Sequence, residues 1–199
     1  MLVRHGATSL NENGYCQGRK DVRLSARGRE QVAFLRAALE PWEFDRVYAS
    51  PLARALETAT RLGRKPEVID DLVEIDRGHW EGHASAEIKR RWGKLRRAWY
   101  DDPAGLAMPG GEAFDALWER AGRVLAAILD GGGETVLACA HKAINRVLVA
   151  RAANRGSKGV WDPPCMQASY SVLVRAGDAW RAEVIGCVDH LPAGLRSDD

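Results

Sequence analysis

Short apolar runs alternate along the chain with longer segments in which apolar residues recur every three or four positions. The short runs predict buried strands, and the spaced pattern predicts helices with one apolar face. The predicted strands cover residues 1–3, 46–49, 67–69, 135–140, 170–175 and 180–185. The predicted helices run from 25 to 40, from 50 to 62, from 85 to about 99, from 112 to about 129, and onward from 142.

Capping and helix-breaking residues place the ends of these helices. Ser25 can cap the first one, and Pro41 blocks its continuation. Ser50 followed by Pro51 predicts an N-cap and a first-turn proline, which puts Arg54 in the first turn of the second helix.

The alternation of strands and helices predicts an α/β fold with three layers, α/β/α, around a mostly parallel central sheet. The last two strands flank Gly177-Asp178 and predict a hairpin, which leaves room for one antiparallel strand at the edge of the sheet. Residues 101–111 are rich in Pro, Gly and Asp, and they predict a mobile loop that is either a lid or a connector.

The composition fits a protein with one core of substantial size. The 199 residues are 46% hydrophobic and 28% charged, so we expect one compact domain over residues 1–199. The 29 Lys and Arg against 27 Asp and Glu leave a formal charge of +2, which argues against nucleic acid or a membrane as a partner bound through bulk charge. No apolar run approaches the roughly 18 residues of a membrane span. Four scattered cysteines and the lack of a charged-then-apolar leader argue against zinc, disulfides and secretion, and they favour a cytoplasmic location.

Polar residues that can bind and attack a phosphate follow four of the predicted strands. Arg4-His5 follow the first strand and Ser50 the second, while Glu74 comes after the third and His141 after the fourth. Ligands of open α/β sheets bind at the carboxyl ends of the strands. We therefore expect these side chains to meet in one pocket.

The residue types in this pocket suit phosphoryl transfer. A neutral imidazole attacks phosphorus well, which makes His5 the candidate nucleophile. The guanidinium groups of Arg4 and Arg54, with a protonated His141, would stabilise the charge on the transferred phosphoryl group. A carboxylic acid can protonate the leaving alkoxide and then take a proton from water, and Glu74 is the candidate for this role.

A longer motif surrounds these residues in five ordered blocks, which is far more specific than one tripeptide. The blocks are Arg4-His5-Gly6 followed by Asn11 and Gln17-Gly18, then 49–59, 72–82, 109–112, and Ala140-His141 with Arg146. Together they resemble the histidine phosphatase superfamily, also called the phosphoglycerate mutase-like family, and the resemblance runs from Leu2 to about Leu191.

The resemblance implies a phosphoglycerate mutase-like fold and a phosphoryl-transfer site that needs no metal or other cofactor. It implies that His5 is phosphorylated and that Glu74 donates the proton. It also implies a phosphate pocket made by Arg4, Arg54 and His141. The chain would then be one histidine phosphatase domain with a helical and loop insertion around 83–111 near the active site.

The resemblance also implies residues that bind the rest of the substrate. Asn11, Gln17 and Gly18 would line the mouth of the pocket. Many relatives carry glycine where this chain has Lys142, so a cation there would select a substrate with extra negative charge. Relatives often have serine where this chain has Ala113, a difference expected to alter a loop contact with the substrate.

Simpler roles compete with two of these assignments. Glu74 could pair with Arg77 or face solvent in a loop, and Asp76 and Glu81 are other carboxylates nearby. Lys142 could be a solvated surface residue, although a cation in the first turn of a helix opposes the helix dipole.

Three functions remain open at this point. The first is a phosphomonoesterase that acts on a small phosphorylated metabolite through a phosphohistidine intermediate, and the second is a phosphoglycerate mutase-type isomerase. The third is a non-catalytic module that binds phosphorylated ligands, against which the intact site residues argue. The stretch 82–140 is shorter than in the mutases, which favours an open pocket and hydrolysis. The sequence identifies neither the substrate nor the oligomeric state, for which a homodimer is one option.

Overall fold

A six-stranded sheet runs through the centre of the computed structural model, which describes residues 1–177 and 179–196. The strands are β1 (Leu2–Arg4), β2 (Arg46–Ala49), β3 (Glu67–Val68), β4 (Val136–Ala140), β5 (Tyr170–Ala176) and β6 (Ala179–Cys187). Their order across the sheet is β3-β2-β4-β1-β5-β6. The first four strands are mutually parallel, and β5 is antiparallel to both of its neighbours, β1 and β6.

The predicted hairpin is confirmed, but the reversed strand is not at the edge of the sheet. β5 lies between β1 and β6, and Ala176 pairs with Ala179 across the turn. Because a hairpin adds two strands, β6 runs in the direction of β1 again and takes the edge position. Asp178, part of the predicted turn, lies outside the described residues.

Helices cover both faces of the sheet, which confirms the three-layer prediction. They are α1 (Ser9–Glu12), α2 (Ala26–Leu39), α3 (Ala53–Arg61), α4 (Ser85–Asp101), α5 (Phe114–Asp130) and α6 (Lys142–Ala152). Successive strand residues point to opposite faces. In β2, Val47 packs with apolar residues of α2 and α3, whereas Tyr48 packs with apolar residues of α5 and α6.

The start of α3 differs from its prediction. Ser25 caps α2 as expected, since its Oγ accepts a hydrogen bond from the Gly28 N–H at 3.0 Å. α3, however, begins at Ala53 rather than at Ser50. The Ala53 N–H donates instead to Asp21 Oδ1 at 2.8 Å, so a distant loop residue satisfies this helix end.

The segment predicted as a loop at 101–111 begins with the last residue of α4, Asp101, and connects that helix to α5. Met108 is only 2% exposed, which anchors the loop in the core. The Met108 N–H donates to the Glu112 carbonyl at 3.1 Å, and the Phe114 N–H donates to the Leu106 carbonyl at 2.9 Å. α5 therefore begins at Phe114, two residues later than predicted.

The helices within residues 1–177 and 179–196 are too short or too polar to cross a membrane. The four cysteines form no disulfide in this part of the chain. Nor do three or more His, Cys, Asp or Glu side chains of the described residues gather as the ligands of a metal ion would.

Candidate active site

A cavity of about 300 Å³ lies at the carboxyl edge of the parallel strands. Four of the residues predicted to be catalytic line its wall, and these are Arg4, His5, Arg54 and Glu74. The four residues predicted to bind the rest of the substrate also line it, and these are Asn11, Gln17, Gly18 and Lys142. The fifth predicted catalytic residue, His141, is completely buried behind this wall.

His5 is fixed in one orientation and one tautomer. Its backbone N–H donates to the Ala140 carbonyl at 3.1 Å, which extends the β1–β4 pairing by one step. Its ring Nδ1 lies 2.7 Å from the Gly6 carbonyl oxygen, and because a carbonyl only accepts, Nδ1 carries the hydrogen. The lone pair of the ring is therefore on Nε2, which lies 3.2 Å from Nε of Arg54.

The glycine after His5 allows a close approach between two segments of backbone. A Cβ atom at Gly6 would lie 2.5 Å from the Gly28 carbonyl oxygen in the first turn of α2. No side chain fits at that distance, so glycine is required where the chain leaves β1 and packs on α2. This contact helps to set the direction in which His5 points.

Arg54 connects the two histidines. Its Nε–H is shared between Nε2 of His5 and Nδ1 of His141, the latter at 3.1 Å. Its terminal nitrogens donate to the carbonyls of Lys20 at 2.9 Å and Gly18 at 2.8 Å, which holds the loop over the site. Burial lowers the pKa of Arg54 to about 10, so the guanidinium remains charged at neutral pH.

His141 is held neutral by the protein groups around it. Its Nδ1 accepts from Arg54, so Nε2 carries the hydrogen and donates to Ser50 Oγ at 2.7 Å. Burial first, and the positive charge of Arg54 second, lower the pKa of His141 well below its ordinary value. This differs from the expectation of a protonated His141, because that expectation left out the cost of burying a second cation. Ser50 is thus a partner of His141 and not the N-cap of α3.

Glu74 is anchored at the start of α6. The Ile75 N–H donates to its Oε1 at 2.9 Å, and the Ala143 N–H donates to its Oε2 at 3.1 Å. The other two carboxylates considered for its role do not line the cavity. Asp76 accepts from the Gly78 N–H, and Glu81 accepts from the Arg19 N–H. Of these three acids, Glu74 is the one that reaches the site.

A buried ion pair supports the segment that carries Glu74, and the sequence analysis missed it. Nε of Arg120 lies 2.7 Å from the Glu112 carboxylate, and Arg120 is 4% exposed. The Arg120 guanidinium also donates to the carbonyls of Asp71 and Val73, at 2.6 Å and 2.7 Å. The available signal was a charged residue on the apolar side of α5, three positions after Leu117.

Several further cavity residues had no predicted role. Arg96 and Tyr100 come from α4, and the Arg96 guanidinium lies 4.9 Å from the centre of the Tyr100 ring. The others include Trp80, Ile88, Trp161, Arg77 and Arg146. No residue of 101–113 lines the cavity. A lid role for this loop and a substrate effect of Ala113 stay predictions. Ala113 occupies the N-cap position of α5 without a side-chain hydrogen bond.

Fold and site together define an α/β protein whose sheet edge holds a histidine, arginines and a carboxylate, a combination that suits phosphoryl transfer. Residues 1–188 match the sequence profile of the histidine phosphatase superfamily (branch 1). The chain belongs to that superfamily, as its motifs indicated.

Several proteins similar to this chain are named as phosphatases. It is 35% identical over 163 residues to the probable 2-carboxy-D-arabinitol-1-phosphatase of Arabidopsis thaliana, covering 79% of this chain and 34% of that protein. It is 30% identical to phosphoserine phosphatase 1 of Hydrogenobacter thermophilus, covering 87% of this chain and 84% of that one. Among solved structures, Bacillus stearothermophilus YhfR superposes with a TM-score of 0.86 at 32% identity, over 95% of this chain and 96% of that one. The chain spans about a third of the length of the plant relatives that it matches.

Proposed function

We propose that this chain is a metal-independent phosphomonoesterase that acts on a small phosphorylated metabolite through a phosphohistidine at His5. The observation that carries the proposal is the His5 ring, whose Nδ1–H is fixed on the Gly6 carbonyl at 2.7 Å. The lone pair is thereby on Nε2, which accepts from Arg54 until a phosphoryl group takes its place. Arg4, Arg54 and Glu74 share the cavity wall with His5.

In the first half of the reaction, Nε2 of His5 forms a bond to phosphorus while the bond from phosphorus to the ester oxygen breaks. Arg4 and Arg54 stabilise the charge on the phosphoryl oxygens, and both are almost completely buried, which strengthens that interaction. Glu74 enters as the carboxylic acid and gives its proton to the departing alkoxide. The products of this half are a free alcohol and a phosphohistidine.

In the second half, water attacks the phosphorus of the phosphohistidine. The Glu74 carboxylate takes a proton from that water, and the bond between phosphorus and Nε2 breaks with its electron pair returning to the ring. Inorganic phosphate leaves, and Glu74 is again protonated. His141 and Ser50 act behind the wall by holding Nε of Arg54 in place.

The names of several relatives support hydrolysis rather than isomerisation, because these proteins are named as phosphatases of small metabolites. One other relative is named phosphoglycerate mutase-like protein 4, so the isomerase reaction is tested beside hydrolysis. The cytoplasmic location expected from the sequence belongs to the same proposal.

The direct test is release of phosphate from a panel of phosphomonoesters in the presence of a chelator. An assay for interconversion of the two phosphoglycerate isomers runs beside it. We expect phosphate release that the chelator does not affect, no isomerisation, and complete loss of turnover in His5→Ala. The exposed His79 provides the matched control, since His79→Ala should retain turnover.

Other results would point elsewhere. Isomerisation would assign the mutase reaction, and loss of activity in chelator would contradict the metal-independent mechanism. Tight binding of phosphorylated ligands without release of phosphate from any of them would favour the binding module.

A further inference from the structure

Two cations of α6 face the same cavity. Lys142 is the first residue of the helix and Arg146 lies one turn later, at the i and i+4 spacing that places side chains on one side of a helix. Both side chains line the cavity. Between them, the Ala143 N–H holds Glu74, so this side of α6 is part of the active-site wall.

This placement is unfavourable for the helix itself. Like charges at i and i+4 repel, and cations near a helix N-terminus oppose the helix dipole. The first turn of α6 contains no acidic residue of its own, and the carboxylate at this helix end is that of Glu74. A helix that keeps two cations in this position at a cavity wall is suited to an anion that binds there.

The two cations lie close to the proposed phosphoryl site. Arg4 donates to the Cys165 carbonyl at 2.7 Å, and Nε of Arg146 donates to the Pro163 carbonyl at 2.8 Å. Carbonyls two residues apart are separated by no more than about 7 Å, even in a fully extended chain. The Cys165 thiol lies within reach of all three positive charges. Burial raises its pKa, and a smaller opposite effect comes from the charges of Arg4, Arg146 and Lys142.

The cavity wall has more positive charge than one phosphoryl group requires. Among the described residues that line it, Glu74 is the one carboxylate. The cations of the wall are Arg4, Arg54, Arg77, Arg96, Lys142 and Arg146. Arg4 and Arg54 are the arginines proposed for the reacting group, and the α6 pair adds positive charge to the same wall that can attract another negative group.

We propose that Lys142 and Arg146 bind a second anionic group of the substrate, and this rests on the proposed function. The enzyme then prefers phosphomonoesters in which a short carbon chain carries a carboxylate or a second phosphoryl group. Arginine binds either group through charge-assisted hydrogen bonds, and lysine adds a point charge.

The test compares kcat/KM for substrates that differ in one anionic group. Phosphoserine is paired with phosphoethanolamine, and phosphoglycerate with glycerol phosphate, to test a carboxylate. Fructose bisphosphate is paired with fructose monophosphate to test a second phosphoryl group. We expect the member with the extra anion to be preferred by about tenfold or more in at least one class, mostly through KM, the size of effect given by one charge-assisted hydrogen bond.

In the double variant Lys142→Gln/Arg146→Gln, the ratio of kcat/KM between the two members of the preferred pair should fall towards one. The matched control is Lys89→Gln, an exposed lysine of α4 that does not line the cavity and whose removal should leave the ratio unchanged. Thermal unfolding of each variant checks that it is folded.

Turnover with equal kcat/KM within every pair would overturn the inference and leave the proposed function intact. A preference that survives in the double variant would also overturn it. If no substrate is turned over, the proposed function fails. Calorimetry then tests the anion site by itself, because it compares the Kd of phosphoglycerate with the Kd of glycerol phosphate. Equal binding of the two would reject the second anion site.

Discussion

The shared N–H group of Arg54 links the two histidines of the site. Its hydrogen lies between Nε2 of His5 and Nδ1 of His141, at donor–acceptor distances of 3.2 Å and 3.1 Å. The attack that we propose for His5 requires its lone pair, so in that mechanism Arg54 gives up that half of the hydrogen bond when a phosphoryl group arrives. The N–H group then remains on His141, which Ser50 holds from the other side.

The neutral state of His141 predicts a specific dependence of stability on pH. Its pKa in the folded protein lies well below the ordinary value of 6.5, so below about pH 6.5 the unfolded chain binds a proton that the folded chain does not. The free energy of unfolding therefore falls as the pH is lowered from about 7 to about 5. We expect His141→Asn to remove up to ~1.4 kcal/mol per pH unit from this slope, as measured by urea denaturation across that range.

The slope of unfolding free energy against pH is compared between the unaltered protein and His141→Asn, which separates the effect of His141 from that of other titrating groups. The pKa of the Met1 amino group is lowered to about 6 and that of His190 is also lowered, mainly by burial, but both groups remain in the variant. The charged or titratable groups that lower the pKa of His141 are Arg54, His5, Arg4 and Arg120. Identical slopes in the two proteins would contradict a neutral, buried His141.

At the scale of single residues, strand ends and motif order were enough to find the cavity wall. Arg4 is the last residue of β1 and His5 follows it directly, so their side chains had to appear at the carboxyl edge of the sheet. The position of His141 behind that wall could not be predicted in the same way. It depends on Ser50 and Arg54, two residues from another part of the chain, both hydrogen-bonding to one ring.

At the scale of elements, the N-terminus of α5 lacks a cap. Ala113 has the extended backbone of an N-cap residue, with φ of −75° and ψ of 148°, but its side chain cannot accept a hydrogen bond. Serine or threonine at this position would bond to an N–H group of the first turn. Ala113 therefore leaves the N-terminus of α5 without a side-chain cap, which is a matter of stability.

We expect Ala113→Ser to raise the free energy of unfolding by about 1 kcal/mol, because it adds the missing cap. Urea denaturation measures the change, and kcat/KM should stay the same since Ala113 does not line the cavity. Ala113→Val enlarges the side chain without a hydroxyl and should not stabilise the protein. A stability gain in both variants, or a change in kcat/KM for the serine variant, would reject this explanation.

Apolar spacing predicted the helices well, but their first residues depended on contacts that spacing does not contain. The buried positions Val32, Leu35 and Leu39 confirm the apolar side predicted for α2. By contrast, the N–H group at the first residue of α3 donates to Asp21, which is separated from this helix in the chain by α2 and β2. A capping rule that uses only neighbouring residues therefore predicts Ser50 as the N-cap, because serine is a preferred residue at that position.

At the scale of the whole molecule, the parallel part of the sheet assembles the site. β1 and β4 are adjacent, with β2 on the other side of β4, so the segments that follow them lie side by side. Those segments carry His5, His141 and Ser50. The chain direction of these strands could be predicted from the alternation of strands and helices, whereas the order across the sheet could not, because it depends on which helix crosses which face.

α4 completes the cavity on the side away from the sheet. Arg96 and Tyr100 reach the wall from this helix, whose backbone departs from helical geometry at Trp92. The predicted insertion around 83–111 therefore contributes to the cavity through its helix and not through its loop. Selectivity for one substrate should depend on this helix and on α6 together.

The most direct test of the account is to locate the phosphoryl group on the enzyme during turnover. The protein is mixed with a radiolabelled phosphomonoester that has a good leaving group, quenched in base within milliseconds, digested, and the labelled peptide is sequenced by mass spectrometry. The proposed phosphohistidine intermediate predicts an acid-labile phosphoryl group on His5 that forms and decays as fast as phosphate is released. Label on any other residue, or phosphate release by His5→Ala at the rate of the unaltered protein, would contradict it.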